Sequence, residues 1–473
     1  MSDSEKCETE LVSKPVKRLG VRHVQYVLLF LATVIGYGMR TNLSEGIVAI
    51  TATDKDKPSP DIKTYPEWKD YKNTMLSSFF WGYVCLQIGA GQIAKKFGPK
   101  LSLTLAIAVS SSFSILLPIL ADVIGYQGVI ICRVFQGLSQ GFLYPSFHHL
   151  LSVWAPNSER SKVISFVYTG GPLGNVISLQ LTGFIADSTL GWPVVFYIYG
   201  GLGLTWSVVY FIYGSNSPSQ IKNISESEKK FIESETCGES KNIPTPWKAI
   251  FTSSPLLAIT IGHAGNNWGF WTLLTEIPSY LKSIFDYKLK TVALLDALAY
   301  FAMWTLGFVF SPIADHFITK KVFSIGATRK IMNSIGLFIP AAALVALAFL
   351  PKEQGTLAIV LLVVAVGINS ATFCGYNVNH IDISPNHAGV LMGITNSVSN
   401  VCSILAPLAI DGIRAMTGYD EEDKALWTIV FCLSSGIYVV SGLYFNIFAS
   451  GEIQPWNSED YLSKKKEQKE SNS

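Results

Sequence analysis

The chain has 473 residues, and only 15% of them are charged, against about 25% in an ordinary soluble domain. Hydrophobic residues make up 49%, mean hydropathy is +0.34 and the formal net charge is +2. These values exclude a soluble enzyme of this size, a disordered chain, and a nucleic-acid binder, which needs a strong basic excess.

Residues 1–23 are polar and mixed in charge, and no short apolar core with a small-residue cleavage site precedes the first apolar run, so no cleaved signal peptide is expected. Twelve runs then follow, at about 24–51, 73–94, 101–121, 127–153, 162–186, 191–214, 255–281, 291–313, 331–350, 354–379, 388–416 and 425–449. A helix needs roughly 20 apolar residues to cross a bilayer. A β-barrel would show short alternating segments instead. The expected fold is an all-α membrane protein with twelve transmembrane helices in two six-helix, pseudo-symmetric bundles.

The longest internal polar interval, 215–254, is rich in Ser, Lys and Glu and carries Pro244 and Pro246. It divides the runs six and six, as a linker between bundles does; a disordered insertion or a regulatory segment are the alternatives. The expected divisions are a tail over 1–23, bundles over 24–214 and 255–450, the linker between them, and a tail over 451–473. With the N-terminus inside, 23 of the 36 Lys and Arg fall on the cytoplasmic side and 11 on the other. This bias predicts both termini in the cytoplasm. None of the seven cysteines falls in an outward loop, so neither a disulfide framework nor a metal site is expected.

The halves repeat. Gly91-Gln-Ile-Ala-Lys95-Lys96-Phe97-Gly98-Pro99-Lys100 follows the second run, and Ser311-Pro-Ile-Ala-Asp315-His316-Phe317 follows the eighth. The fourth run ends in Ala155-Pro156-Asn157 and the tenth in Ser384-Pro385-Asn386. Two parallel six-helix repeats describe a transporter that rocks about a midplane site.

The loop Gly91–Lys100 resembles the signature loop of the major facilitator superfamily, with Lys95 where an Asp is usual; Asp315 keeps the acid in the second half. The strings Ser78-Phe-Phe-Trp-Gly-Tyr83, Arg133-Val-Phe-Gln-Gly137 with Tyr144-Pro145, and Trp154-Ala-Pro with Glu159-Arg-Ser161 resemble the anion:cation symporter family. So do Asn379-His380-Ile-Asp382-Ile-Ser-Pro385, Leu391-Met-Gly393 and Phe448-Ala-Ser-Gly-Glu-Ile-Gln-Pro-Trp456. That family includes sodium/phosphate cotransporters, sialin and vesicular glutamate transporters. The resemblance covers about 24–456 and implies gating roles for Lys95, Lys96 and Asp315, while Asp382, at the cytoplasmic end of the tenth run, is expected in a gating or structural pair. Where proton-coupled members typically carry Glu, this chain has Gln140. Where vesicular glutamate transporters carry a His and an Arg, it has Leu76 and Asn266. These departures point away from a vesicular glutamate transporter and toward the phosphate-cotransporter branch.

Two basic residues lie deep inside runs, Arg40 and Arg133. A charge at mid-bilayer costs about 2.5–3.5 kcal/mol on the mildest scale. Such a charge needs a partner, a wet cavity or a ligand, and guanidinium suits an anion's paired oxygens. A structural ion pair or snorkelling is the alternative. In the fourth run Arg133, Gln136, Gln140, Tyr144 and His148 recur at helical spacing, so one polar face is expected toward a cavity, or else toward hydrogen bonds between helices. Glu45, Glu276 and Asp296 are candidates for coupling to Na+ or H+, or for pairing with the arginines. His263, Asn266 and Asn267 in the seventh run are candidate substrate contacts, although a lone His is more often a packing residue.

No phosphate loop, metal-ligand cluster or catalytic triad is recognisable, so neither an ATP-driven pump nor an enzyme is expected. The expected function is secondary transport of phosphate or small organic anions, cation-coupled, across the plasma membrane. The alternatives are a proton-coupled or voltage-driven organic anion carrier and, third, an anion channel. The expected partners are a small anion and the lipid bilayer, with no resident cofactor, no nucleic acid and no obligatory protein partner.

Overall fold

The computed structural model describes residues 20–53, 59, 61–236, 243–287, 289–420, 422–458 and 461. Their long helices are α1 Val21–Ile50, α2 Lys72–Phe97, α3 Pro99–Ile124, α4 Tyr126–Gln140, α5 Leu143–Trp154, α6 Arg160–Ala186 and α7 Trp192–Tyr213 in the first half. Two short helices, α8 Glu226–Glu235 and α9 Trp247–Phe251, lie in the linker. The second half holds α10 Ser254–Phe285, α11 Leu289–Thr319, α12 Ile325–Phe349, α13 Gly355–Asn369, α14 Tyr376–Ile383, α15 Ala388–Thr417 and α16 Lys424–Phe448. Taking α4 with α5, and α13 with α14, as single broken passes, the described residues make twelve passes.

Eight passes are long and apolar enough to cross a membrane by length and composition alone. The other four, α2, α4–α5, α6 and α10, carry more polar residues. Most of these turn inward, which a membrane helix requires where its neighbours rather than lipid can satisfy them.

The halves echo one another in their irregularities. The fourth pass breaks at Gly141–Phe142 and the tenth at the 3-10 segment Ser370–Cys374. Proline sits inside α3 at Pro118 and inside α12 at Pro340. Each half closes on itself through α1 with α6, α2 with α4 and α3 with α7, then α10 with α15 and α12 with α16. The halves meet where α6 packs on α11 and α2 on α15. Small residues permit these approaches: a Cβ at Gly174 would lie 2.5 Å from the Val34 carbonyl of α1, and one at Gly393 2.5 Å from the Gln87 carbonyl of α2.

The linker is more ordered than its composition suggests. Ser225 caps α8 by accepting from the Glu228 amide at 3.2 Å. Glu228 in turn accepts from the Val21 and Arg22 amides at 3.1 Å each, capping α1. Arg22 also pairs with Glu228 and Glu159, and Ser158 donates to Glu235. The linker is therefore clamped onto one face of the first half, here called the linker face. Residues 451–457 seal the same face of the second half, where the Gln454 amide donates to the Ile383 carbonyl at 2.9 Å.

Candidate functional site

A cavity of about 70 Å³ lies between the halves. A buried water needs roughly 10–15 Å³ of such space, so several waters, or a small anion, fit. The first half contributes Tyr37 and Arg40 from α1, Tyr83 from α2, Tyr144 from α5, and Tyr168 and Pro172 from α6. The second half contributes His263, Asn266, Asn267, Phe270 and Trp271 from α10, with Tyr376, Asn377, Asn396 and Asn400 facing them.

Arg40 is the cavity's one Lys or Arg side chain among the described residues, and it is only 6% exposed. Its guanidinium carbon stands 4.8 Å from the Tyr37 ring, 4.9 Å from Phe79 and 4.5 Å from Tyr83. It forms no ion pair with any carboxylate among the described residues, and its Nε has no hydrogen-bond partner. Each ring contributes about 0.5–2 kcal/mol to holding the cation. The aromatic cage offsets part of the desolvation cost while leaving the guanidinium edge available to an anion.

Arg133 is placed differently. It is 2% exposed and does not line the cavity. Its Nη1 donates to the Met39 carbonyl at 3.1 Å and to Gln136 Oε1 at 3.2 Å, and its Nη2 donates to the Arg40 carbonyl at 2.9 Å. Gln136 and Gln140 donate to Ser110 of α3. The expected polar stripe therefore does not run along one cavity face. The break at Gly141–Phe142 separates Arg133, Gln136 and Gln140, which bond inside the first half, from Tyr144, which reaches the cavity. Interhelical hydrogen bonding describes the upper part of the stripe.

His263, Asn266 and Asn267 all line the cavity. Asn266 donates to Tyr376 Oη at 3.1 Å and accepts from Asn369 Nδ2 at 2.8 Å. Below the cavity, His380 contacts Thr395 at 2.8 Å, and His148 contacts the Asn377 carbonyl at 2.9 Å across the two halves. Tyr83 accepts from Asn396 at 3.1 Å, a second crossing. The side chains of Glu45 and Asp296 lie outside the described residues. Glu276, half-buried in α10, does not line the cavity.

The linker face is closed by charge. Asp382 accepts from Arg329 of its own half at 2.7 Å and from Arg160 of the other half at 3.1 Å, all three being buried. Arg329 also donates to Ser161 Oγ at 2.8 Å. Asp315 accepts from the Ser161 and Lys162 amides at 3.0 and 2.9 Å, so an acid of the second half caps α6 of the first. Lys95 donates to the Ile243 carbonyl at 2.6 Å and meets His387 Nδ1 at 3.0 Å, tying linker, α2 and second half together. Lys96 is exposed and lies beside the linker residues Ile243–Thr245. Arg160 and Arg329 join the candidate site without having been singled out as site residues in the sequence. The signals in the sequence were Arg160 within the string Glu159-Arg-Ser161 and an acid, Asp382, just past the tenth run in a loop with no Lys or Arg of its own.

A family model described as Major Facilitator Superfamily matches residues 60–407. The chain is 37% identical to a Drosophila ananassae protein named "Putative inorganic phosphate cotransporter", over 91% of this chain and 93% of that one. It is 34% identical to vesicular glutamate transporter 1 of Xenopus laevis, over 94% and 77%, and 33% identical to human sialin, over 92% and 90%. The proton:xylose symporter XylE, solved with 6-bromo-6-deoxy-D-glucose bound, shares the fold with a TM-score of 0.68 at 15% identity, over 93% of this chain and 99% of that one. The chain belongs to the major facilitator superfamily and, within it, to the anion:cation symporter family.

Proposed function

We propose that this protein carries small anions, inorganic phosphate first among them, by alternating access coupled to a cation that moves with the anion. The observation that carries this reading is Arg40: a buried guanidinium in a central cavity, with no carboxylate partner among the described residues. Bidentate binding of phosphate oxygens satisfies such a group. The relative named "Putative inorganic phosphate cotransporter" supports phosphate as the first anion to test. The Arg160–Asp382–Arg329 cluster acts as the gate on the linker face, and rocking of the halves breaks it when that side opens. Both termini and the linker face the cytoplasm in this reading, which rests on the 23 to 11 bias of Lys and Arg, and the membrane is the plasma membrane.

A second reading is favoured by the rings of Tyr37, Tyr83, Tyr168, Phe270, Trp271 and Tyr376 around the cavity. These would pack against the body of an organic anion, driven by protons or by voltage. Uptake of phosphate, urate, sialic acid and glutamate into proteoliposomes, each under imposed sodium, proton and voltage gradients, separates the readings. Sodium-driven phosphate uptake supports the first. Uptake of an organic anion alone, indifferent to sodium, overturns it in favour of the second.

A further inference from the structure

We propose that Asn266, Asn369 and the Gly336 carbonyl form a sodium site beside the cavity, at the junction of the seventh, ninth and tenth passes. It deepens the cation-coupled reading above and rests on it. Three features converge there.

The first is a carbonyl without a helical partner. Gly336 lies in α12 four residues before Pro340, which has no N–H to offer it. The Gly336 carbonyl accepts instead from Asn369 Nδ2 at 3.0 Å. The missing side chain of Gly336 also allows the 3-10 segment of the tenth pass to approach, since a Cβ there would lie 2.8 Å from the Thr372 amide nitrogen.

The second is a buried amide with an unused oxygen. Asn369 is 2% exposed, its Nδ2 bridges the Gly336 carbonyl and Asn266 Oδ1, and its own Oδ1 has no partner. An orphaned buried acceptor costs about 1–3 kcal/mol. The amide nitrogen thus occupies a point already bordered by two oxygens. Half a turn of the Asn369 amide exchanges its oxygen for its nitrogen, gathering three oxygens side by side at the 2.8 and 3.0 Å spacings the nitrogen now spans, and a cation seated against all three relieves their mutual repulsion.

The third is the helix break. α13 gives way at Asn369, mid-pass, to the 3-10 segment Ser370–Cys374, so the negative end of its dipole lies at the residue whose amide is proposed to turn. Broken membrane helices use such ends for cations. All the proposed ligands are neutral oxygens, which suit a hard monovalent ion and offer no group to titrate. Asn266 lines the cavity and gives the ion its route, and it also joins ion to anion. A cation fixed on its Oδ1 sets the amide that faces the substrate, so each ligand raises the other's affinity by the same factor.

The test is thermal unfolding of the purified full-length protein, followed by tryptophan fluorescence, in sodium chloride against choline chloride at constant ionic strength without phosphate. Wild type is expected to gain Tm saturably with sodium and not with choline. Pro340→Ala restores an N–H to the Gly336 carbonyl and is expected to raise the half-saturating sodium concentration by about tenfold or more. Asn369→Asp adds a charge at the site and is expected to lower it. No sodium-specific Tm gain in wild type overturns the site. So does an unchanged half-saturation in whichever of the two variants keeps its sodium-free Tm. Phosphate uptake without a sodium-specific Tm gain retires the site and spares the transport reading. A sodium-specific gain without anion uptake does the reverse.

Discussion

Arg133 donates from Nη2 to the backbone carbonyl of Arg40, 2.9 Å away, so the guanidinium that does not reach the cavity holds the backbone of the one that does. The pair therefore divides its labour, and the two substitutions should separate. Arg133→Gln removes charge-assisted hydrogen bonds to α1 and should lower stability by about 1–3 kcal/mol. Arg40→Gln removes a charge with no ion-pair partner among the described residues, so it should leave Tm near or above that of wild type while abolishing phosphate binding. Tm and phosphate affinity of both variants check this.

Asp382→Asn should open the linker face. The substitution leaves Arg160 and Arg329 buried without their carboxylate, and breaking such a cluster costs the closed state about 3–5 kcal/mol. The loss falls on the closed state, in which Asp382 bridges the halves through Arg160. The expected outcome is a population shifted toward linker-open conformations, read as thiol labelling of cysteines introduced beneath the gate, with transport reduced.

A steric route should reach the same state. A Cβ at Gly389 would lie 2.5 Å from the Pro145 carbonyl of the other half. Gly389→Val should therefore drive α15 from α5 at the linker face, raise labelling from that side and slow uptake. Substitution at Gly201, which has open space around it, should do neither and serves as the control.

The passes and the buried charge were legible because both are local. Runs of about 20 apolar residues mark the helices, and an arginine such as Arg40 stands out within one. The partners of Asp382 were not legible: Arg160 and Arg329 lie 222 and 53 residues away, and only the packing of three passes brings them together. The fourth-pass stripe misled for a related reason. Arg133 to Tyr144 keeps helical spacing in the sequence, yet the chain breaks at Gly141, where α2 packs so closely that a Cβ would meet the Tyr83 carbonyl at 3.1 Å. Asn369 escaped notice because its environment depends on Pro340 of another helix.

The linker clamp should contribute to stability rather than to transport specificity. Glu228 is buried and accepts from two amides at the start of α1 and from Arg22. Glu228→Gln keeps the shape and loses the charge, at an expected cost of about 1–3 kcal/mol. Thermal unfolding should register the loss, while the order of preference among anions should not change.

If sodium couples at Asn369, then Glu276→Gln should leave the sodium dependence of uptake as in wild type. A sodium half-saturation that moves in Glu276→Gln and not in Pro340→Ala would transfer the coupling role to the acid.

The most direct measurement is sodium-driven phosphate uptake by Arg40→Gln and wild type, reconstituted at equal density in proteoliposomes. Uptake falling to the level of empty vesicles, with Tm preserved, is the result this account predicts. Uptake retained at the wild-type level would contradict it, because the cavity would then bind its anion without its one described cation.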